Sequence, residues 1–194
     1  MTNVSASFQL GDLKISQLSD GATFRDPKIL FDGVEESEWV EALGLSDSSE
    51  SIPFNFSTFL VESQKNKWLV DTAYGFREKE ENTESCAELL VRLSEKGVQP
   101  QDIDFVVHSH LHFDHVGWNL DENDQITFPN AMHIVAEQEF DWWINYEGND
   151  HPLKDKVQAK FKALIENDQI KTFVGDYKVN EFLTMIYAPG HTPG

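Results

Sequence analysis

Apolar and polar residues alternate from Phe8 to Ser19 on either side of Gly11-Asp12, the pattern of a β-hairpin. Ser19-Asp20-Gly21 reads as a turn, and Arg25 to Val34 as irregular chain punctuated by Pro27 and Gly33. Glu35 to Leu43 gathers Trp39, Val40 and Leu43 on one side, which predicts a short helix stopped by Gly44. After a polar, acidic loop at Ser46 to Ser51, Phe54 to Glu62 and Lys67 to Asp71 predict a second hairpin. Its Trp68-Leu69-Val70 segment is wholly apolar, as in a strand covered on both faces. Thr72 to Asn82 reads as a loop. Thr83 to Lys96 predicts a helix, with Thr83 as cap, Leu89, Leu90 and Leu93 as the buried stripe and Gly97 as its end.

Asp104 to Val107 is a short apolar run and predicts a buried strand. A polar turn at Asn119 to Gln125 leads to a strand at Met132 to Val135 and a helix at Ala136 to Tyr146. Lys156 to Asn167 predicts an amphipathic helix through Val157, Phe161, Leu164 and Ile165, and strands follow at Ile170 to Val174 and Phe182 to Tyr187. Strands alternating with helices predict an α/β fold, which places its site at the carboxyl ends of strands.

At 194 residues with 40% hydrophobic content, the chain is long enough for one domain with a sizeable core. Lys and Arg number 15 against 34 Asp and Glu, a formal charge of −19 that repels nucleic acid and anionic membranes. Cys86, the single cysteine, leaves no intramolecular disulfide and fits a reducing cytoplasm; it reads as a small side chain packed in the helix. Met1 to Phe8 has no signal-peptide character, and no apolar run approaches the ~20 residues that span a bilayer. The expected setting is therefore cytoplasmic, with a small-molecule substrate and neither nucleic acid nor membrane as partner.

Chemistry concentrates directly after the Asp104 to Val107 strand. His108, His110, His112 and His115, four of the seven histidines, fall within eight residues together with Asp114. His110 and His112 are two apart, so on an extended backbone they point the same way and can share one metal ion. Asp114 and His115 then need a turn, which aims them at a neighbouring position. Neutral imidazole with carboxylate suits zinc, and also iron or manganese. His108 reads as a packed or supporting histidine, His133 as a half-exposed strand residue, and His151 as a surface residue. Asp71 closes a buried strand, where a carboxylate needs partners or simply ends the strand in a turn. Tyr74 and Phe76 are candidates for a cleft wall, and Trp142 and Trp143 for core or cleft wall.

The Ser109-His110-x-His112-x-Asp114-His115-x-Gly117 pattern resembles the signature of the metallo-β-lactamase superfamily. Phe56 to Thr72 is similar to that family's early hairpin, and Ala188-Pro189-Gly190-His191-Thr192-Pro193-Gly194 to the segment carrying its next metal-binding histidine. The resemblance implies an αββα sandwich with its second half incomplete, residues 1–194 forming one domain without the usual C-terminal part. That part would supply a bridging aspartate and a last histidine, and its absence suggests a homodimer or strand exchange at an open sheet edge.

The family pattern further implies that His110, His112 and His191 hold one metal and that Asp114 and His115 contribute to a second. Two zinc ions are expected in a complete site, and one or none in this chain. Asp71 would orient the ligand loop without touching metal, and Asp114 would also carry a proton to the leaving group. The implied reaction is hydrolysis of an ester, lactone, thioester or amide by zinc-bound hydroxide. The alternatives are a mononuclear iron oxidoreductase on the same scaffold, or a non-catalytic metal-binding or interaction form.

Overall fold

The computed structural model describes residues 6–76, 83–85 and 87–194, without the side chains of 83–85. Cys86 lies outside the described residues. The first hairpin forms as its alternation predicts: β1 (Ser7–Leu10) and β2 (Leu13–Arg25) pair antiparallel across Gly11. Ser19-Asp20-Gly21 is not a turn. β2 runs through it with a bulge between Ser19 and Gly21, and Gly21 adopts φ 142°, which only glycine takes readily. The bulge leaves Asp20 fully buried, where its carboxylate ties three segments together. Oδ1 accepts from Leu89 N–H (2.8 Å) and Trp118 Nε1–H (2.7 Å), and Oδ2 from Gly75 N–H (2.8 Å).

In the stretch expected to be irregular, Asp26 caps a single turn, α1 (Pro27–Leu30). α2 (Glu36–Leu43) ends at Gly44 in the left-handed conformation, as predicted. β3 (Ile52–Glu62) and β4 (Lys67–Val70) form the second hairpin. The helix expected from Thr83 starts later. β5 (Thr83–Ser85) instead pairs with Ala22 and Thr23 of β2, and α3 (Leu89–Glu95) begins after Ala87 turns the chain at φ 69°. Asp20, not Thr83, receives the first amides of that helix: its carbonyl takes Glu88 N–H and its carboxylate takes Leu89 N–H.

The remaining elements are β6 (Phe105–Val107), α4 (Phe113–Val116), β7 (Met132–Ala136), α5 (Glu137–Phe140), which widens into a π turn at Asp141–Asn145, α6 (Lys154–Glu166), β8 (Ile170–Phe173), β9 (Tyr177–Lys178) and β10 (Thr184–Met185). Among the described residues, eight strands form one mixed sheet in the order β1-β2-β3-β4-β6-β7-β8, with β5 on β2. β1 to β4 are antiparallel neighbours, and β4, β6, β7 and β8 run parallel. The fold is thus mixed α/β. β9 and β10 make a separate two-stranded sheet.

Alternation sorts the core onto two faces. On one, Leu18, Leu60, Leu69 and Val106 meet Leu89 and Leu93 of α3, while Val135 and Leu111 meet Val157, Phe161 and Leu164 of α6. On the other, Trp68 stacks on Phe105 at 5.2 Å, and Val107, Ile134 and Phe173 meet Tyr177, Leu183 and Met185 of the β9–β10 region.

His133 corrects the expectation of half exposure. β7 is an interior strand and the side chain lies on its α6 side, so it is fully buried. Its Nδ1 is 3.0 Å from Nε2 of His108, whose ring stacks on it at 5.3 Å. One proton bridges the pair, and the outer nitrogens, His108 Nδ1 and His133 Nε2, have no partner among the described residues. Burial pushes both imidazoles down to about 3.

The loop after β4 is pressed against the chain after α4. Thr72 N–H donates to His115 O (2.8 Å), Gly117 N–H to Ala73 O (2.8 Å) and Trp118 N–H to Thr72 O (3.1 Å). The contact is so close that a Cβ on Gly117 would lie 1.9 Å from Tyr74 O. Gly117→Ala must therefore separate two hydrogen-bonded segments. We expect a loss of about 3 kcal/mol in urea unfolding, the upper range for overpacking a core; an unchanged midpoint would contradict the packing.

The histidine pair predicts acid sensitivity. Between the ordinary imidazole value of 6.5 and about 3, unfolded His133 binds a proton that the folded chain does not. Stability is therefore full above pH 6.5 and falls as pH drops, by about 1.4 kcal/mol per pH unit for this group. Urea unfolding from pH 7 to pH 4 should show a shallower fall in His133→Leu than in the wild type, and parallel curves would refute the assignment.

Candidate metal centre

β6 delivers the chain to the site. Its last bond in register is His108 N–H to Ile134 O (2.9 Å), after which no strand takes up the backbone amides. Asp71 supplies the first replacement. Oδ1 accepts from Ser109 N–H (2.7 Å), and Oδ2 from Ser109 Oγ–H (2.7 Å) and from Nδ1–H of His115 (2.8 Å). Asp71 itself stands at φ 65°, a strained position for a residue with a Cβ, and its carbonyl is held by Thr58 Oγ1 (2.7 Å). His112 then starts α4, whose first bond is His115 N–H to His112 O (2.9 Å). That turn moves Asp114 and His115 off the line of His110 and His112.

The result brings three imidazoles together. One nitrogen from each of His110, His112 and His191 lies within 4.8 Å of the others, and the ring centroids are 4.7 to 4.9 Å apart. His112 Nδ1 and His191 Nε2 are 3.0 Å apart. Two nitrogens on a tetrahedral zinc stand about 3.3 Å apart, given Zn–N bonds of about 2.0–2.1 Å. His110 Nε2 is buried with no hydrogen-bond partner among the described residues, while its Nδ1 meets Ser109 Oγ at 3.0 Å. A buried nitrogen without a hydrogen-bond partner, beside two more imidazoles, has a lone pair that a metal ion could take. The donor set therefore fits a divalent cation.

Charge supports the same fit. Burial, with the fields of His115, His112 and His191, pushes His110 down to about 3, and burial with His191 pushes His112 down to about 4. Both present free lone pairs at neutral pH. For His115, burial alone would lower the pKa, but the Asp71 hydrogen bond and the charges of Asp71 and Asp114 outweigh it and raise it. His115 Nε2 faces Asp114 Oδ2 at 3.8 Å, and the His115 ring lies 3.9 Å from that of His110. Asp114 and His115 thus adjoin the three-imidazole cluster without entering it.

The proposed cleft residues divide. Tyr74, in the tight loop, is buried and stacked on Phe56 at 4.3 Å. Trp143 is likewise buried, its edge set against the His112 ring at 5.4 Å. Phe76 is exposed, and Trp142 lines a cavity of about 430 Å³ with Gln138, Asp141, Tyr146, Tyr187 and Pro193, the last two flanking His191 in sequence. His151 is not simply a surface residue. It packs against Trp143 at 4.8 Å and faces His112 at 5.8 Å, while its Nδ1 accepts from Leu153 N–H. Nothing in the His151-Pro152 loop signals that contact, which depends on how α6 folds back.

A family model described as the metallo-beta-lactamase superfamily matches residues 53–194. An N-acyl homoserine lactonase of a Bacillus species is 29% identical over 153 residues, covering 70% of this chain and 54% of the relative. An N-acyl homoserine lactonase of Azorhizobium caulinodans is 32% identical over 101 residues, covering 50% and 36%. The chain thus spans about half the length of the Bacillus relative, 54%. Among solved structures, AidC, a dizinc quorum-quenching lactonase in complex with a product, superposes with a TM-score of 0.77 at 27% identity, over 98% of this chain and 68% of that one. A probable metal-dependent hydrolase from Staphylococcus aureus shares the fold with a TM-score of 0.82 at 21% identity, over 96% and 68%. With a family match across most of its length and the family's histidine pattern gathered at one point, the chain belongs to the metallo-beta-lactamase superfamily.

Proposed function

We propose that the chain is the metal-binding part of a zinc-dependent hydrolase that opens a lactone or a related carboxylic ester, thioester or amide of a small molecule. The observation that carries this reading is the convergence of His110, His112 and His191, with His110 Nε2 buried and partnerless. Relatives named N-acyl homoserine lactonase support trying a lactone first as the substrate. His110, His112 and His191 would hold one zinc ion, and Asp114 and His115 would contribute to a second. Bound zinc supplies a Lewis acid and lowers the pKa of water toward neutrality, so that hydroxide is available near pH 7.

The protein's own groups do the rest. Asp71 fixes the orientation of His115 through the 2.8 Å hydrogen bond and keeps its Nε2 toward Asp114. Asp114 is exposed enough to reach a leaving oxygen and carries the proton to it. Trp142 and Tyr146, stacked at 5.2 Å, give the adjoining cavity an apolar wall for the acyl part of the substrate.

The zinc-supplemented chain should open an N-acyl homoserine lactone, lose that activity to a chelator and regain it with added zinc. Asp114→Asn should lower kcat by about 10²- to 10⁴-fold. A zinc-bound chain that hydrolyses no lactone, ester, thioester or amide would count against the reading.

A further inference from the structure

The amides of Ser109 and Leu111 both lie beyond the end of β6, where no neighbouring strand can take them. Asp71 takes the first. The second goes to Glu139 in α5, a residue that sequence patterning leaves as one more acid of a helix. Glu139 is 1% exposed. Its Oε1 accepts from Leu111 N–H at 2.8 Å and from Trp143 Nε1–H at 2.8 Å, and its Oε2 accepts from Gly194 N–H at 3.2 Å. Leu111 sits between His110 and His112, and Gly194 lies three residues past His191. One carboxylate therefore joins the two segments that carry the three imidazoles, and through Trp143 it also supports the ring of His112.

We propose that Glu139 is a positioning residue that assembles the three-imidazole centre by holding the Leu111 and Gly194 amides on opposite oxygens of one buried carboxylate. The inference rests on the metal-site reading above. Two details make it specific. All three partners are N–H donors, so both oxygens must accept. A glutamine offers one accepting oxygen and turns an NH₂ group toward at least one of those donors. The approach of the His191 segment also depends on a glycine, because a Cβ on Gly194 would stand 2.5 Å from the Glu139 backbone nitrogen. Carboxylate and glycine are thus two independent handles on one contact.

Cobalt(II) is the probe. Apo-protein is titrated with Co²⁺, reading affinity and the visible d–d bands that report coordination geometry, while far-UV circular dichroism reports folding. Wild type should bind Co²⁺ with a nitrogen-rich, low-coordinate spectrum. Glu139→Gln should keep its circular dichroism, bind Co²⁺ about 10- to 100-fold more weakly and show weakened or shifted d–d bands, the range expected for a group that supports metal ligands from behind. Gly194→Ala should move the same two readouts in the same direction with the carboxylate intact. A folded Glu139→Gln with wild-type affinity and bands would overturn the proposal, even if its melting temperature fell, since that is what a purely structural carboxylate would give. If Glu139→Gln does not fold, Gly194→Ala decides: wild-type Co²⁺ binding there overturns the proposal, and weakened binding supports it. A wild-type chain that takes up no Co²⁺ would overturn this inference and the metal-site reading together, whereas normal wild-type binding with unaltered variants overturns this inference alone.

Discussion

A strand that ends in the interior leaves backbone amides that must be satisfied, and this molecule satisfies them with a buried carboxylate. Asp71 closes β4, the strand beside β6, so the register of the sheet puts its oxygens next to the first unpaired amide beyond Val107. From that bond the geometry of the histidine segment follows. Ser109 is fixed, His110 and His112 continue the extended line on one side, and His115 returns to the same carboxylate one helical turn later. The strain of Asp71 at φ 65° is tolerated because five hydrogen bonds surround it, including that from Thr58 to its carbonyl and that from its own N–H to Val107 O.

Electrostatics and packing act together at the cluster. Several imidazoles held this closely cannot all carry protons, and burial disfavours the charge further. His110 and His112 are consequently neutral at physiological pH, so neither has to shed an added proton when a cation arrives. The deeper His108–His133 pair is neutral for the same reason, with one nitrogen of each ring meeting the other inside the core. The same residue type thus serves packing in one layer and, on the proposed reading, ligation in the next.

Local pattern carried much of this in the sequence. The strand at Phe105–Val107, the second hairpin, the stop at Gly44 and the crowding of His110, His112, Asp114 and His115 all depend on spacing within a few residues. What spacing could not show depends on distant partners. Asp20 looked like a turn residue because its three donors lie 55 to 98 residues away. Thr83 looked like a helix cap because the free edge of β2 that takes β5 is invisible in a local window. His133 looked half exposed because burial of β7 on both faces is a property of its place in the sheet. Glu139 and His151 had no signal of their own, since each meets the site only through the tertiary fold. The spacing of His191, 79 residues from its nearest partner His112, became meaningful only beside the family's motif.

On the reading proposed above, this backbone arrangement creates one cation position among His110, His112 and His191. The most direct measurement is anomalous diffraction at the zinc edge from crystals of the chain grown with a zinc salt. The strongest anomalous peak should lie within bonding distance of one ring nitrogen from each of those three residues. Crystals that hold zinc only at surface carboxylates, or at the His108–His133 pair, would contradict it.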